Sequence, residues 1–306
     1  MPKPAPAAEL RIERVPCATK GDELLIFSGF VHSYPQSQSI VGRHGLPPTV
    51  ISLRRMEQIF PSPVDNVDPI AVYGADQRIP LAKRPWVMSN MIASIDGSVS
   101  VDGLSGGLGG PGDKAVFTAI RAVPDIIVVA SGTVVAEDYR RPQTSPEVQS
   151  SRIERGQDAF PRIAIVSGSL SIDPGHRVFD PEARPLVITH AQAPPDRVSA
   201  LGEVADVLVA GETEVDLNGA LETLRSNGAS VVLLEGGPTL NGAFVEADLI
   251  DEWCQSSAPL LVGGSAGRVV KSRNTSEART FALARTLHDE GFLFHRYVRD
   301  RQTNVE

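Results

Sequence analysis

The sequence predicts an α/β protein built on a mixed sheet, and three observations carry that prediction. Short continuous apolar runs, of the kind buried on both faces of a sheet, recur between residues 86 and 234, and segments of helical spacing separate them. Glycine, proline and aspartate punctuate the junctions. Near the C-terminus, two further extended segments flank Asp289-Glu290 in the pattern of an antiparallel hairpin.

Residues 1–55 differ from the rest, with broken apolar runs, a polar stretch over 33–39 and no sustained period. They are expected to form a poorly ordered extension, with Met56 as an alternative start of the chain. Residues 56–84 read as a polar approach segment, and the main domain is expected over 85–300. Its first strand is Trp86-Val87-Met88-Ser89-Asn90-Met91-Ile92-Ala93-Ser94, ending at the turn Asp96-Gly97. A glycine-rich loop over 102–112 leads into a helix over 113–122, whose Val116, Phe117 and Ile120 are expected to share one face. Apolar strands follow over 125–130, 162–166, 185–189 and 206–210. The helix over 215–227 carries Leu217, Ala220, Leu221 and Leu224 at helical spacing and stops before Gly228, a C-cap. A strand over 230–234, a helix over 239–247 and an extended segment over 252–258 come next. The hairpin pairs 278–287 with 291–298.

Composition narrows the function classes. A net charge of −8 works against a broad nucleic-acid surface, because such binding is largely phosphate neutralisation by Lys and Arg. Cys17 and Cys254 are far apart and lack the spacing of a disulfide framework or zinc site, which fits a reducing compartment. The first eight residues have no apolar core after Lys3, and no 18-residue apolar run occurs, so a cytoplasmic protein without membrane contact is expected. Six scattered histidines without ligand spacing argue against a metal, and the absence of G-x-S-x-G argues against an α/β-hydrolase.

The strongest chemical signal is Glu235-Gly236-Gly237-Pro238-Thr239-Leu240, where a buried strand runs into two glycines and a helix start. Glycines let a ligand approach the backbone, and the unpaired N–H groups of a helix's first turn attract anions. The same glycines also serve a tight strand-to-helix turn with no ligand, and the pattern is not G-x-G-x-x-G. A second candidate is Thr133, which follows the strand over 125–130 and could meet a phosphate or cap a short helix. Asn90 and Ser94 interrupt an otherwise apolar strand and need partners, from backbone or from ligand. Asp113 heads a helix, where capping explains it, though with Lys114 it could line a pocket.

Taken jointly, these segments resemble the pyrimidine reductases of riboflavin biosynthesis, over about 85–298. The marks are Asn90-Met91-Ile92-Ala93-Ser94-Ile95-Asp96-Gly97, Gly109-Gly110-Pro111-Gly112-Asp113 and Arg121-Ala122-Val123-Pro124-Asp125 leading to Ser131-Gly132-Thr133. Glu235-Gly236-Gly237-Pro238-Thr239-Leu240, Val245 to Asp251 and Ala258-Pro259-Leu260-Leu261-Val262-Gly263-Gly264 complete the set. The resemblance implies a dihydrofolate-reductase-like three-layer sandwich with a mixed, mainly parallel central sheet. It implies NADPH held by Ala93, Thr133, Glu137, Ser167, Gly236, Gly237, Pro238, Thr239 and Leu240. The substrate would lie against Asn90, Ser94, Asp113 and Glu235. The implied reaction reduces the ribosyl group of 5-amino-6-(5-phosphoribosylamino)uracil to ribityl, with a hydride passing to ribose C1′ of a ring-opened imine. A homodimer is also implied, and the apolar run at 258–262 is a candidate contact, although core burial accounts for it equally well.

The chain departs from that family in places. Many members carry Lys where Asn90 stands, and an acidic-Asp-Pro segment where this chain has Glu137-Asp138-Tyr139. Arg140 and Arg141 are the nearby cations that could take up contacts to the sugar phosphate. The zinc deaminase motifs H-x-E and P-C-x-x-C are absent, so no deamination is expected. Two rival functions remain at this level: reduction of dihydrofolate, because fold does not fix substrate, and non-catalytic NADPH binding with the N-terminal segment serving a partner.

Overall fold

The computed structural model describes residues 11–16, 23–28, 56–273 and 277–300 and divides the chain into two units, Met1–Leu53 and Arg54–Glu306. In the first unit, β1 (Arg11–Pro16) and β2 (Glu23–Ser28) pair antiparallel, with Arg11 opposite Ser28. The remainder of the 1–55 extension, including the polar stretch and Cys17, lies outside the described residues.

The second unit is organised by one ten-stranded sheet. Its strands in chain order are β3 (Glu57–Phe60), β4 (Trp86–Ser94), β5 (Ile126–Ala130), β6 (Arg162–Val166) and β7 (Leu186–Thr189). Then come β8 (Asp206–Val209), β9 (Val231–Leu234), β10 (Glu252–Ala258), β11 (Phe281–Asp289) and β12 (Phe292–Arg299). The spatial order is β3-β11-β12-β10-β4-β9-β5-β6-β7-β8. From β10 to β8 every neighbour is parallel, while β3, β11, β12 and β10 pair antiparallel. The sheet is thus mixed, mainly parallel, and carries the expected C-terminal hairpin, which turns through Glu290 and Gly291 at positive φ.

Alternation along the strands explains the layers. In β5, Val128 joins Val87, Val232, Leu234 and Phe244 on one side, with α6 (Leu217–Ser226) and α7 (Pro238–Glu246). Ile127 and Val129 face the other side, where α1 (Pro69–Ala75), α2 (Pro111–Arg121), α3 (Ser131–Ala136) and α5 (Pro195–Gly202) pack. Successive side chains of a strand point to opposite faces, so each central strand needs apolar residues at every position. β8 departs from the expected double-sided burial: it is the sheet's edge, and Val209 is 51% exposed.

In the second unit, β3, α1 and α4 (Pro146–Glu154) are among the elements not legible from periodicity. The approach segment 56–84 contains β3 and α1, and its Met56 and Tyr73 are core residues, so it belongs to the same unit. Asp68 caps α1 by accepting from Ile70 N. In α4, capped by Ser145, the fully buried Arg152 donates to the backbone oxygens of Ala122, Pro124 and Asp158. A charged residue in a core position hides a helix from an apolar pattern.

Candidate active site

The C-terminal ends of β4, β9 and β5, three adjacent parallel strands, open onto a cleft of about 670 Å³. Strand carboxyl ends are where open α/β sheets receive ligands. The cleft is lined by Asn90 from β4, Asp113 and Arg121 from α2, Thr133 from α3, and Glu235 with Gly236 from the turn after β9.

That turn is shaped for close approach. Gly236 has φ +88, the peptide bond to Gly237 is cis, and a Cβ on Gly237 would stand 2.6 Å from Thr133 Oγ1. Thr133 therefore fills the space that a side chain at 237 would need. A capping role for Thr133 does not hold, because the N-cap of α3 is Ala130 and no side-chain cap bond forms there. Asn241, one turn into α7, donates Nδ2 to Val269 O at 2.7 Å, which sets its amide orientation, and its buried Oδ1 has no partner among the described residues.

Of the carboxylates that line the cleft, Glu235 and Asp113 stand in different surroundings. Glu235 is 8% exposed and is spanned by Arg121, with Nε to Oε1 at 2.7 Å and Nη2 to Oε2 at 2.6 Å. Tyr139 Oη also donates to Oε2, at 2.7 Å. The Arg121 guanidinium lies 4.1 Å from the Phe117 ring centroid and 5.4 Å from that of Tyr139. Burial works against the Arg121 charge, but Glu235 overrides it and the guanidinium holds its proton more firmly than usual. Burial, joined by the Glu235 charge, pushes the Tyr139 phenol well above its ordinary range, so it remains a neutral donor.

Asp113 is the second carboxylate. It stands in the first turn of α2, whose cap is Gly110, so the capping explanation is replaced by a place in the cleft. Burial raises its carboxyl above the usual range, opposed by a hydrogen bond from Ser256 and by the Lys114 charge. Phe117, expected in the core beside Val116 and Ile120, turns instead to the cleft. One residue along a helix is a rotation of about 100°, and that separates Phe117 from Val116.

The other expected site residues are divided between the cleft and its surroundings. Ser94 is buried and organises the turn after β4: its hydroxyl donates to Asp96 Oδ1 at 2.5 Å and accepts from Ser98 N at 2.8 Å. Asp96 in turn accepts from Gly263 N at 2.7 Å, and these bonds, led by that from Ser94, lower its carboxyl to about 2. Ala93, Ser167, Thr239 and Leu240 are not among the cleft-lining residues, whereas Pro238 is. Ser167 accepts from Leu170 N and holds the loop after β6. Glu137 lines the cleft and accepts from Ser105 N at 2.9 Å, tying the glycine-rich loop to α3. Of the two arginines beside Tyr139, Arg140 lines the cleft, but Arg141 pairs with Asp180 and Glu182.

Arg121, Tyr139 and Ser256 escape sequence reasoning as site residues. Glu235 is 114 positions from Arg121 and 96 from Tyr139, so no spacing rule links them. Among the described residues no group of three or more His, Cys, Asp and Glu could hold a metal ion, and no helix is long and apolar enough to cross a membrane.

Comparison with known proteins points one way. Residues 85–290 match the family model described as the RibD C-terminal domain. The chain is 32% identical over 182 residues to the 2,5-diamino-6-ribosylamino-4(3H)-pyrimidinone 5′-phosphate reductase of Archaeoglobus fulgidus, covering 59% of this chain and 83% of the relative. The protein of the same name from Methanothermobacter thermautotrophicus is 32% identical over 187 residues, covering 61% and 83%. A solved pyrimidine reductase-like protein from Corynebacterium diphtheriae superposes with a TM-score of 0.69 at 24% identity, covering 77% of this chain and all of that one. That likeness shows a shared fold.

Proposed function

Because the chain belongs to the family of RibD C-terminal domains, we propose that it reduces the ribosyl group of a phosphoribosylamino-pyrimidine of riboflavin biosynthesis to ribityl. The observation that carries this reading is the cleft itself. Asp113 and Glu235 face a Gly236-Gly237 turn that Thr133 leaves room for only in the absence of a side chain. The reductase family uses a nicotinamide cofactor, and the residues present fit one: the bare glycine backbone, the Asn241 Oδ1 that has no partner among the described residues, and the cleft cations Lys114 and Arg140. NADPH rather than NADH is proposed, because those cations suit the more highly phosphorylated donor.

When bound, the reduced nicotinamide supplies a hydride to ribose C1′. The chain has to hold the sugar against that donor and provide one proton as the ribose ring opens. Asp113 suits the proton, since burial raises its carboxyl and it lines the cleft. Glu235, spanned by Arg121, serves as a fixed acceptor for a substrate N–H or O–H. The same pairing weighs against dihydrofolate. A two-point grip on a pteridine edge needs the two facing lone pairs of a carboxylate, and on Glu235 Arg121 occupies them.

The test follows oxidation of NADPH, and separately of NADH, with 5-amino-6-(5-phosphoribosylamino)uracil and with its 2,5-diamino counterpart. Turnover of one or both, with a ribityl product, is expected. No turnover of either refutes the reading, and turnover of dihydrofolate alone would replace it. We further propose a cytoplasmic homodimer that buries the exposed Leu261 and Ile95, which are 79% and 63% exposed. A monomer mass by light scattering would exclude it.

A further inference from the structure

Three donors reach Glu235 among the described residues: two from Arg121 and one from Tyr139. A carboxylate offers about four lone-pair positions, so one remains, and the bonding pattern places it on Oε1. Oε2 already takes both an Arg121 N–H and the phenol. We propose that Tyr139 is a positioning residue of this cleft: by holding Oε2 it leaves Glu235 a single open acceptor, directed at one hydrogen-bond donor of the substrate.

The segment around Tyr139 is built to hold that phenol in place. Asp138 turns the chain at φ 50 immediately after α3, and Tyr139 N donates to Val134 O at 3.0 Å. The ring packs against the core cluster that includes Val134. Its hydroxyl is thus delivered from a core-anchored ring, not from a mobile surface chain. The Arg121 guanidinium that shares Glu235 with the phenol lies over the Phe117 ring and within reach of the Tyr139 ring. Fixing which oxygen of Glu235 faces the substrate fixes the tilt of the sugar relative to the hydride donor, and small misplacements there are costly to rate.

The inference rests on the reductase reading, and the experiment separates the two. Tyr139→Phe keeps the ring and removes only the hydroxyl. A hydrogen bond to a charged group is of a size that predicts about a tenfold loss of kcat/KM for the pyrimidine, carried by kcat, with the KM for NADPH within about twofold. Activities are normalised to the fraction of protein that binds NADPH, so that misfolded variant does not count. The decisive step repeats the substitution in a Glu235→Gln background under single-turnover conditions. If Tyr139 acts through Glu235, its removal there costs less than about threefold. An equal loss in both backgrounds, or no loss in the first, overturns the proposal while the reductase reading stands. A wild-type enzyme that turns over neither pyrimidine overturns both.

Discussion

Replacing Arg121 by Met leaves Glu235 as a carboxylate with a side chain 2% exposed and, among the described residues, the Tyr139 hydroxyl to stabilise it. The size of the loss can be bounded from the geometry. Unit charges about 4 Å apart attract by roughly 4 kcal/mol at an effective dielectric of about 20. Arg121 retains 18% exposure of its side chain, so solvent screens part of this. Breaking a buried pair by removing one partner costs about 3–5 kcal/mol, because the other charge is stranded, and the partial exposure places Arg121→Met near 3. For a unit of this size that is a fall in Tm of about 6–12 °C. Glu235→Gln removes the stranded charge, so the double variant should recover about 2 kcal/mol over the sum of the single losses. The assay is a double-mutant cycle by urea unfolding at neutral pH. A coupling below about 0.5 kcal/mol would refute the claim that this pair organises the cleft.

Three further outcomes are expected. Gly237→Ala places a Cβ 2.6 Å from Thr133 Oγ1, so it should cost about 1–3 kcal/mol and weaken NADPH binding, with Thr133→Ala restoring part of the stability; losses indifferent to Thr133 would disprove the steric account. Glu252 is buried, and although burial opposes its charge, Arg78 and Arg296 outweigh this and hold its carboxyl at about 2, below its ordinary 4.5. Its contribution is therefore present above pH 4.5 and lost as pH falls toward 2. Glu252→Gln should cost about 3 kcal/mol at neutral pH and flatten the acid limb of stability in that window, as measured by thermal unfolding across pH. Asp113 has the opposite sign: its carboxyl is raised, so ionising it opposes folding. Asp113→Asn should raise Tm at neutral pH, with the gain fading as pH falls through the raised value, while turnover drops; a gain independent of pH would contradict the assignment.

Much of the cleft's outline is legible in the sequence. Asn90, Asp113, Thr133, Glu137, Glu235, Gly236, Gly237 and Pro238 are expected at a site and do line one. They are legible because each stands at a strand end or helix start, where chain direction and glycine content carry information. Ser94 and Ser167, also expected there, are not among the cleft-lining residues. A polar residue at a strand end can serve a ligand or close its own turn, and only the folded turns after β4 and β6 show the second use.

Local periodicity and local backbone freedom suffice for the alternation of strands and helices, the terminal hairpin and the glycine turn beside Glu235. The environment of Glu235 is a property of the tertiary fold. Arg121 and Tyr139 reach it across 114 and 96 positions of chain because α2 and the end of α3 both pack beside the central strands. Hydrogen bonding acts over about 3 Å whatever the separation along the chain, so the charge state and orientation of a buried carboxylate belong to the fold, not to the motif that contains it.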